Sequence, residues 1–245
     1  MRNLLIFMFL VGIFVVGNRT CNGIHWGFSG VKGEGPPQTE SRTVDNFRGI
    51  QLDLSADVEV LIGESFALEI SAQQNLLPLI QTKSENGRLI IFNNENYNSS
   101  EPIKIRVTMP ALDQLAVGGS GSIKVASAFN TDKMDISIGG SGEVSCTQST
   151  INTLHTAVSG SGEITLGGKC NDWSADISGS GEIHAKSFTA NNLTASISGS
   201  GTITADVVTS LTANVSGSGD VYYSGSPTVN SSVSGSGEVK KIEAQ

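Results

Sequence analysis

The sequence predicts an all-β protein: a parallel β-helix-like solenoid with a β-rich section in front of it. Three observations carry that prediction. The tripeptide Gly-Ser-Gly occurs seven times between Gly119 and Gly237, at steps of 21, 20, 19, 20, 18 and 18 residues. Apolar residues flank the copies at alternate positions, the two-residue period of a β-strand. No stretch between Ser41 and Pro110 has the periodicity of a long amphipathic helix.

Taken in order, the chain starts with an export signal over residues 1–20. Met1-Arg2-Asn3 supplies a positive start, and Leu4 to Gly17 is an almost unbroken apolar run. That run is too short to span a bilayer comfortably and right for the apolar region of a signal peptide. Cys21 follows, where a bacterial lipoprotein signal ends and the Cys becomes the lipid-bearing N-terminus. The preceding Asn18-Arg19-Thr20 is polar, which fits ordinary cleavage between Gly17 and Asn22 instead, so both processings stay open. An acylated Cys21 would tether the protein to a membrane surface without spanning it. Residues 21–40, with Gly27, Gly30, Gly33, Gly35, Pro36 and Pro37, read as a flexible stalk.

Residues 41–114 form the β-rich section. Val44 to Leu54, Val58 to Ile62, Phe66 to Ile70, Arg88 to Phe92 and Ile103 to Val107 read as strands. Leu76 to Ile80 is a short apolar helical turn or bend, and Asn93 to Pro102 a polar loop. Leu54-Ser55-Ala56, followed by an acid and a valine, resembles a degenerate first copy of the repeat.

Residues 115–245 carry the repeats. Before each tripeptide, alternate positions are apolar or small, as in Met134/Ile136/Ile138, Leu193/Ala195/Ile197 and Val229/Ser231/Val233. After it come pairs such as Ile123/Val125, Val144/Cys146 and Ile203/Ala205. A coil of 18 to 21 residues with two such strands cannot bury its apolar face alone. Stacked coils can, each strand pairing in parallel with its counterpart about 4.8 Å away. The glycines around each Ser permit a bend that Cβ atoms would block. An antiparallel barrel of hairpins would make alternate repeats mirror-related, whereas every repeat here reads in one direction.

The repeated Ile/Val-Ser-Gly-Ser-Gly-Glu/Asp-Ile/Val string resembles the auto-transporter adhesin head GIN domain family. So do Arg42-Thr43-Val44-Asp45-Asn46-Phe47-Arg48-Gly49-Ile50 and Asn75-Leu76-Leu77-Pro78. The resemblance covers about Ser41 to Val239. It implies a right-handed β-helical fold and an exported or lipid-anchored protein of the bacterial cell envelope. It brings no catalytic residues. The sequence departs from the pattern in its first box, where Ala56 stands for Gly, and in the polar residues before Cys21.

The residue after each box is Ser122, Glu143, Glu163, Glu182, Thr202, Asp220 or Glu238. Stacked one coil apart, Glu143, Glu163, Glu182, Asp220 and Glu238 make an acidic column. Like charges so close must be solvated, protonated or bridged by cations. Calcium-binding nonapeptide repeats need Gly-Gly-x-Gly-x-Asp at a nine-residue period, and this period is twice as long. The column therefore reads as a solvated edge, with no metal or other cofactor expected.

Enzymatic signatures are weak. β-Helical glycosidases need paired carboxylates in one cleft, and the repeat half has no Arg beyond Arg106. His155 precedes its box and His184 follows its own, so they do not form a ligand pair. Gly-Ser-Gly is not a nucleophile elbow, which needs Gly-x-Ser-x-Gly on a strand-turn-helix. Cys146 occupies an inward column, and Cys170 lies in the turn before Trp173. A net charge of -8 argues against nucleic acid, which needs clustered Lys and Arg. The expected function is a non-catalytic envelope module that binds a surface polysaccharide or protein, or another copy of itself. The alternative is a carbohydrate-active enzyme on the same scaffold. Lys240, Lys241 and Glu243 are expected to blunt the C-terminal end of the stack.

Overall fold

The computed structural model describes residues 30–243; the signal region and Cys21 lie outside the described residues. The chain opens with β1 (Val31–Lys32), β2 (Pro37–Arg42), β3 (Gly49–Leu52), β4 (Asp57–Ile62) and β5 (Ala67–Gln73). A 3-10 turn at Leu77–Leu79 leads to β6 (Ile80–Glu85), β7 (Arg88–Asn93), β8 (Tyr97–Asn98) and β9 (Lys104–Met109). The repeats supply β10 (Gln114–Val117), β11 (Ser122–Val125), β12 (Phe129–Ile138), β13 (Glu143–Gly160) and β14 (Glu163–Gly179). They continue with β15 (Glu182–Gly199), β16 (Thr202–Gly217), β17 (Asp220–Gly225), β18 (Thr228–Gly235) and β19 (Val239–Lys241). Seventeen of these belong to one continuous sheet that winds into a β-solenoid of about six turns. Parallel crossovers strongly favour the right-handed winding expected above.

Successive coils pair in parallel and in register: Ile177 sits over Val158, Ile197 over Ile177, and Val215 over Ile197. These inward columns form the core. Ile164, Ile183, Ile203 and Val221 are fully buried, as are Ala175, Ala195 and Ala213. Each buried branched side chain contributes roughly 1.5–3 kcal/mol. Thr156 stands in the column between Ile136 and Ala175 and is also fully buried. Its hydroxyl is satisfied by the Trp173 indole N–H at 3.0 Å, which removes the cost of an orphaned polar group.

Gly-Ser-Gly is the corner. The Ser180 amide donates to the Gly160 carbonyl of the coil below at 2.8 Å, and the Glu182 amide to Gly162 at 3.0 Å. The hydrogen-bond ladder thus runs straight through the bend. Gly179 has φ +131, and a Cβ there would lie 2.5 Å from the Gly160 oxygen. A Cβ on Gly181 would lie 2.4 Å from Val158 Cγ1 and 2.8 Å from the Gly162 oxygen. From Gly160 onward the first glycine of each corner is needed for its backbone angle, and the second for the side chain beneath it.

The sequence reading differs from the structure in three places. First, a coil has three sides. Between the strand after a corner and the strand before the next lies a short third ladder: Phe129–Thr131, Ser149–Ile151, Gly168–Cys170 and Thr189–Ala190 in successive coils. Register shifts separate it from the preceding strand, for example between Cys146 and Ser149. They break the period-two alternation that would have revealed it. Cys170 belongs to this ladder and is buried, rather than lying in a turn.

Second, the front section is wound into the same stack out of chain order. β3 pairs in parallel with β10 on one flank and β7 on the other, and β4 likewise with β11 and β9. Leu54-Ser55-Ala56 is the corner of this first coil, and the Ser122 amide donates to the Ala56 carbonyl at 2.9 Å. On the other flank the chain runs out through residues 94–103 instead of forming a corner. Ala therefore fits at position 56, where the later corners need Gly.

Third, the described part of the expected stalk is not a free linker. β2 pairs antiparallel with β5, β5 with β9, and β6 with β7, so reversed strands close the N-terminal end. β1 pairs with β8 inside the expected polar loop. Gln73, at 3% exposure, fixes this segment: its amide donates to the Gly35 carbonyl at 3.1 Å, and its Oε1 accepts from the Ser99 hydroxyl at 3.1 Å. The Gly and Pro residues mark tight turns between short strands here.

Candidate functional site

The five acids placed after the corners share the outward face of one side of the solenoid. Asp57, Ser122, Glu143, Glu163, Glu182, Thr202 and Asp220 stand in consecutive register. Glu238 follows, its amide donating to Asp220 Oδ1 at 2.9 Å. Adjacent like charges in such a column destabilise a sheet. The column two residues further on supplies the compensation. His184 Nε2 lies 3.0 Å from Glu182 and 3.5 Å from Glu163. The Tyr222 hydroxyl lies 3.2 Å from both Asp220 and Glu238. Desolvation, and then the hydrogen bonds and charges of those two acids, hold its pKa above the usual phenol value. The Ser122 hydroxyl donates to Asp57 at 2.8 Å.

Glu163, Glu182 and His184 are thus two carboxylates and an imidazole in contact, which the sequence reading did not bring together. The signal was present: Glu182 and His184 are two apart on one strand and so share a face. All three are about half exposed, on an open sheet surface. Among the described residues, no group of three or more His, Cys, Asp or Glu side chains is placed to hold a metal ion.

A hollow of about 1110 Å³ lies elsewhere, along the third side. Its wall is built from hydrogen-bonding side chains in ladders. Asn130, Thr150, Lys169 and Thr189 are register partners in successive coils. Asn152, Asn171 and Asn191 line the adjoining corner, with Arg48 and Asp132 at the N-terminal end. The Asn191 amide donates to Asn171 Oδ1 at 2.9 Å, Asn192 to Asp172 Oδ1 at 2.9 Å, and the Ser210 hydroxyl to Asn192 Oδ1 at 2.8 Å. These bonds run along the axis and fix the amides in one orientation. Buried Ile151 and Cys170 form the floor. This amide wall was missed because the third side itself was missed.

A second groove, of about 550 Å³, runs over the strands before the corners. Half of its lining residues are Ser, including Ser159, Ser178, Ser196 and Ser234, and the rest are Asp176, Asn214 and apolar residues. Of the two cysteines of the described region, Cys146 lines neither surface and Cys170 only contributes to the floor of the first hollow. Cys146 and Cys170 are free and buried. Burial pushes both thiols up to about 12, with the charge of Asp172 adding to the effect at Cys170. Such thiols are poor nucleophiles.

Comparison with known proteins fits this architecture. The profile of one family, described as putative auto-transporter adhesin, head GIN domain (DUF2807), matches residues 46–227. No curated protein matches the chain. Among solved structures, a putative adhesin from Bacteroides fragilis is 27% identical, with a TM-score of 0.83 over 87% of this chain and 100% of its own. A putative lipid binding protein from Parabacteroides distasonis is 27% identical, with a TM-score of 0.74 over 86% of this chain and 99% of its own. A putative adhesin from Parabacteroides merdae, 23% identical with a TM-score of 0.65 over 86% of this chain and 98% of its own, shares the fold.

Proposed function

The chain belongs to the head GIN domain family, and from that premise we propose that it is an exported, non-catalytic binding module of the cell envelope that holds a surface polysaccharide along its third side. The observation that carries this reading is the amide-and-hydroxyl wall of the 1110 Å³ hollow. Sugar hydroxyls are donors and acceptors at close intervals, and so are Asn152, Asn171, Asn191, Thr150 and Thr189. The ladder bond from Asn191 to Asn171 holds these two amides in place before a ligand arrives, which lowers the ordering cost of binding. Repetition along the axis suits a polymer that presents the same unit many times.

A glycan array read at several salt concentrations tests the proposal. Binding of neutral or acidic polysaccharides is expected. The double substitution Asn171→Ala with Asn191→Ala should weaken it about tenfold, the equivalent of ~1.4 kcal/mol. Uniform absence of binding would overturn the reading. Cleavage products from a bound glycan, lost in Glu182→Gln, would favour the carbohydrate-active enzyme instead.

The same proposal places the protein on a membrane surface through Cys21. Among the described residues no helix is long and apolar enough to cross a membrane. Mass spectrometry of the mature N-terminus from membrane fractions is expected to find an acylated Cys21. An unmodified N-terminus between Asn18 and Asn22 would mean simple secretion.

A further inference from the structure

The two ends of the solenoid are finished differently. At the N-terminal end the outermost strands are reversed and charged: β2 carries Pro37, Glu40 and Arg42, and β6 carries Lys83 and Glu85. Proline and charge on an edge are the usual protection against pairing with another chain. At the C-terminal end, Lys240 and Lys241 lie in β19, which covers only the side occupied by β17. β18 pairs with β16 along one edge, and among the described residues nothing pairs with its other edge. All eight of its residues are exposed and none is charged. Val229 and Val233 continue the buried columns of Leu211 and Val215, yet are 37% and 41% exposed.

We propose that this edge is a self-association surface, on which β18 pairs antiparallel with β18 of a second copy, tail to tail. The register singles out this occupant. In the first repeats the amides of Asp135 and Gly139 donate into the coil below. Following the ladder, Asn230 is the counterpart of Asp135 in β18, and Ser234 that of Gly139. The N–H and C=O groups of Val229, Ser231 and Val233 therefore point outward, away from β16. These three residues read the same in both directions. Antiparallel pairing centred on Ser231 sets Ser231 against its copy and Val229 against the partner's Val233. Both are hydrogen-bonded pairs, giving about six bonds between the chains. The valine columns of each copy then cover those of the other. A two-fold contact of this kind closes as a dimer. A head-to-tail stack would instead have to bring this neutral edge against the charged strands β2 and β6.

Sedimentation velocity on the full protein tests this, and a species of twice the chain mass is expected. Ser231→Pro removes an N–H that the single chain does not use and blocks pairing, so this variant should sediment as a monomer with an unchanged far-ultraviolet spectrum. The double variant N230C/S232C, at a non-hydrogen-bonded pair with Cα atoms about 4.5 Å apart, should give disulfide-linked dimers on oxidation. A monomeric parent protein would overturn the proposal. So would a dimer that persists in Ser231→Pro, an open-ended polymer, or an N230C/S232C protein that does not cross-link.

Discussion

Gly181→Val is expected to destabilise the protein by about 3 kcal/mol, at the upper end of the usual cost of overpacking. For a domain of this size that lowers the melting temperature by roughly 6–12 °C. The cause is local. A Cβ at residue 181 would meet Val158 Cγ1 at 2.4 Å and the Gly162 carbonyl at 2.8 Å. Val158 is itself packed in the core, so neither neighbour can move without shifting its own coil. Gly119→Ala is the matched control, because nothing lies within 4 Å of a Cβ there and its φ is not positive. Thermal unfolding followed by circular dichroism should show a large shift for the first variant and almost none for the second. A shift as small at residue 181 as at residue 119 would mean that the stack relieves the clash and does not require Gly there.

Phe188→Ala should cost still more, about 3–5 kcal/mol. Phe188 is fully buried and sits in the third ladder against Gly168. Its ring meets Trp173 edge-on, at 5.6 Å between centroids. Lys186-Ser187-Phe188 has no counterpart in the next coil, where Ala205 runs directly into Asp206. The ring thus fills the volume opened by the longer coil, and no neighbouring side chain can take its place. Denaturant unfolding should give the loss in stability. A red shift of native tryptophan emission would report water beside Trp173, and an unshifted spectrum would mean that the cavity had collapsed.

The parts of the fold legible in the sequence were those that repeat without interruption. Ile177, Ile197 and Val215 recur at one position relative to Gly-Ser-Gly, so their column, the corner and the parallel register follow from alignment alone. The third side was hidden because insertions accumulate there. Lys186-Ser187-Phe188 and the glycine pair Gly167-Gly168 shift the alternation locally, and a period-two reading loses its phase at each shift. The amide wall went unseen for the same reason. The acids after the corners stand in one register column. What the alignment could not supply was the neighbouring column, in which His184 and Tyr222 answer those charges. That requires the relative position of residues two apart on one strand and one coil apart in the stack. The interleaving of β3 between β7 and β10 had no sequence signal, because a parallel ladder leaves the same apolar pattern whatever the order of its members.

That interleaving gives the molecule a mechanical polarity. Tension applied at the C-terminal end meets β19 and β18 first, each held along a single edge, and can strip the stack one coil at a time. Tension applied at the N-terminal end removes β1 and β2 and then reaches β3, which is held on both edges. To free it, the contacts with β7 and β10 must break together, and β10 leads into the whole repeat array. A protein anchored by its N-terminus and loaded through its long sides would therefore carry force into its most interlocked coil.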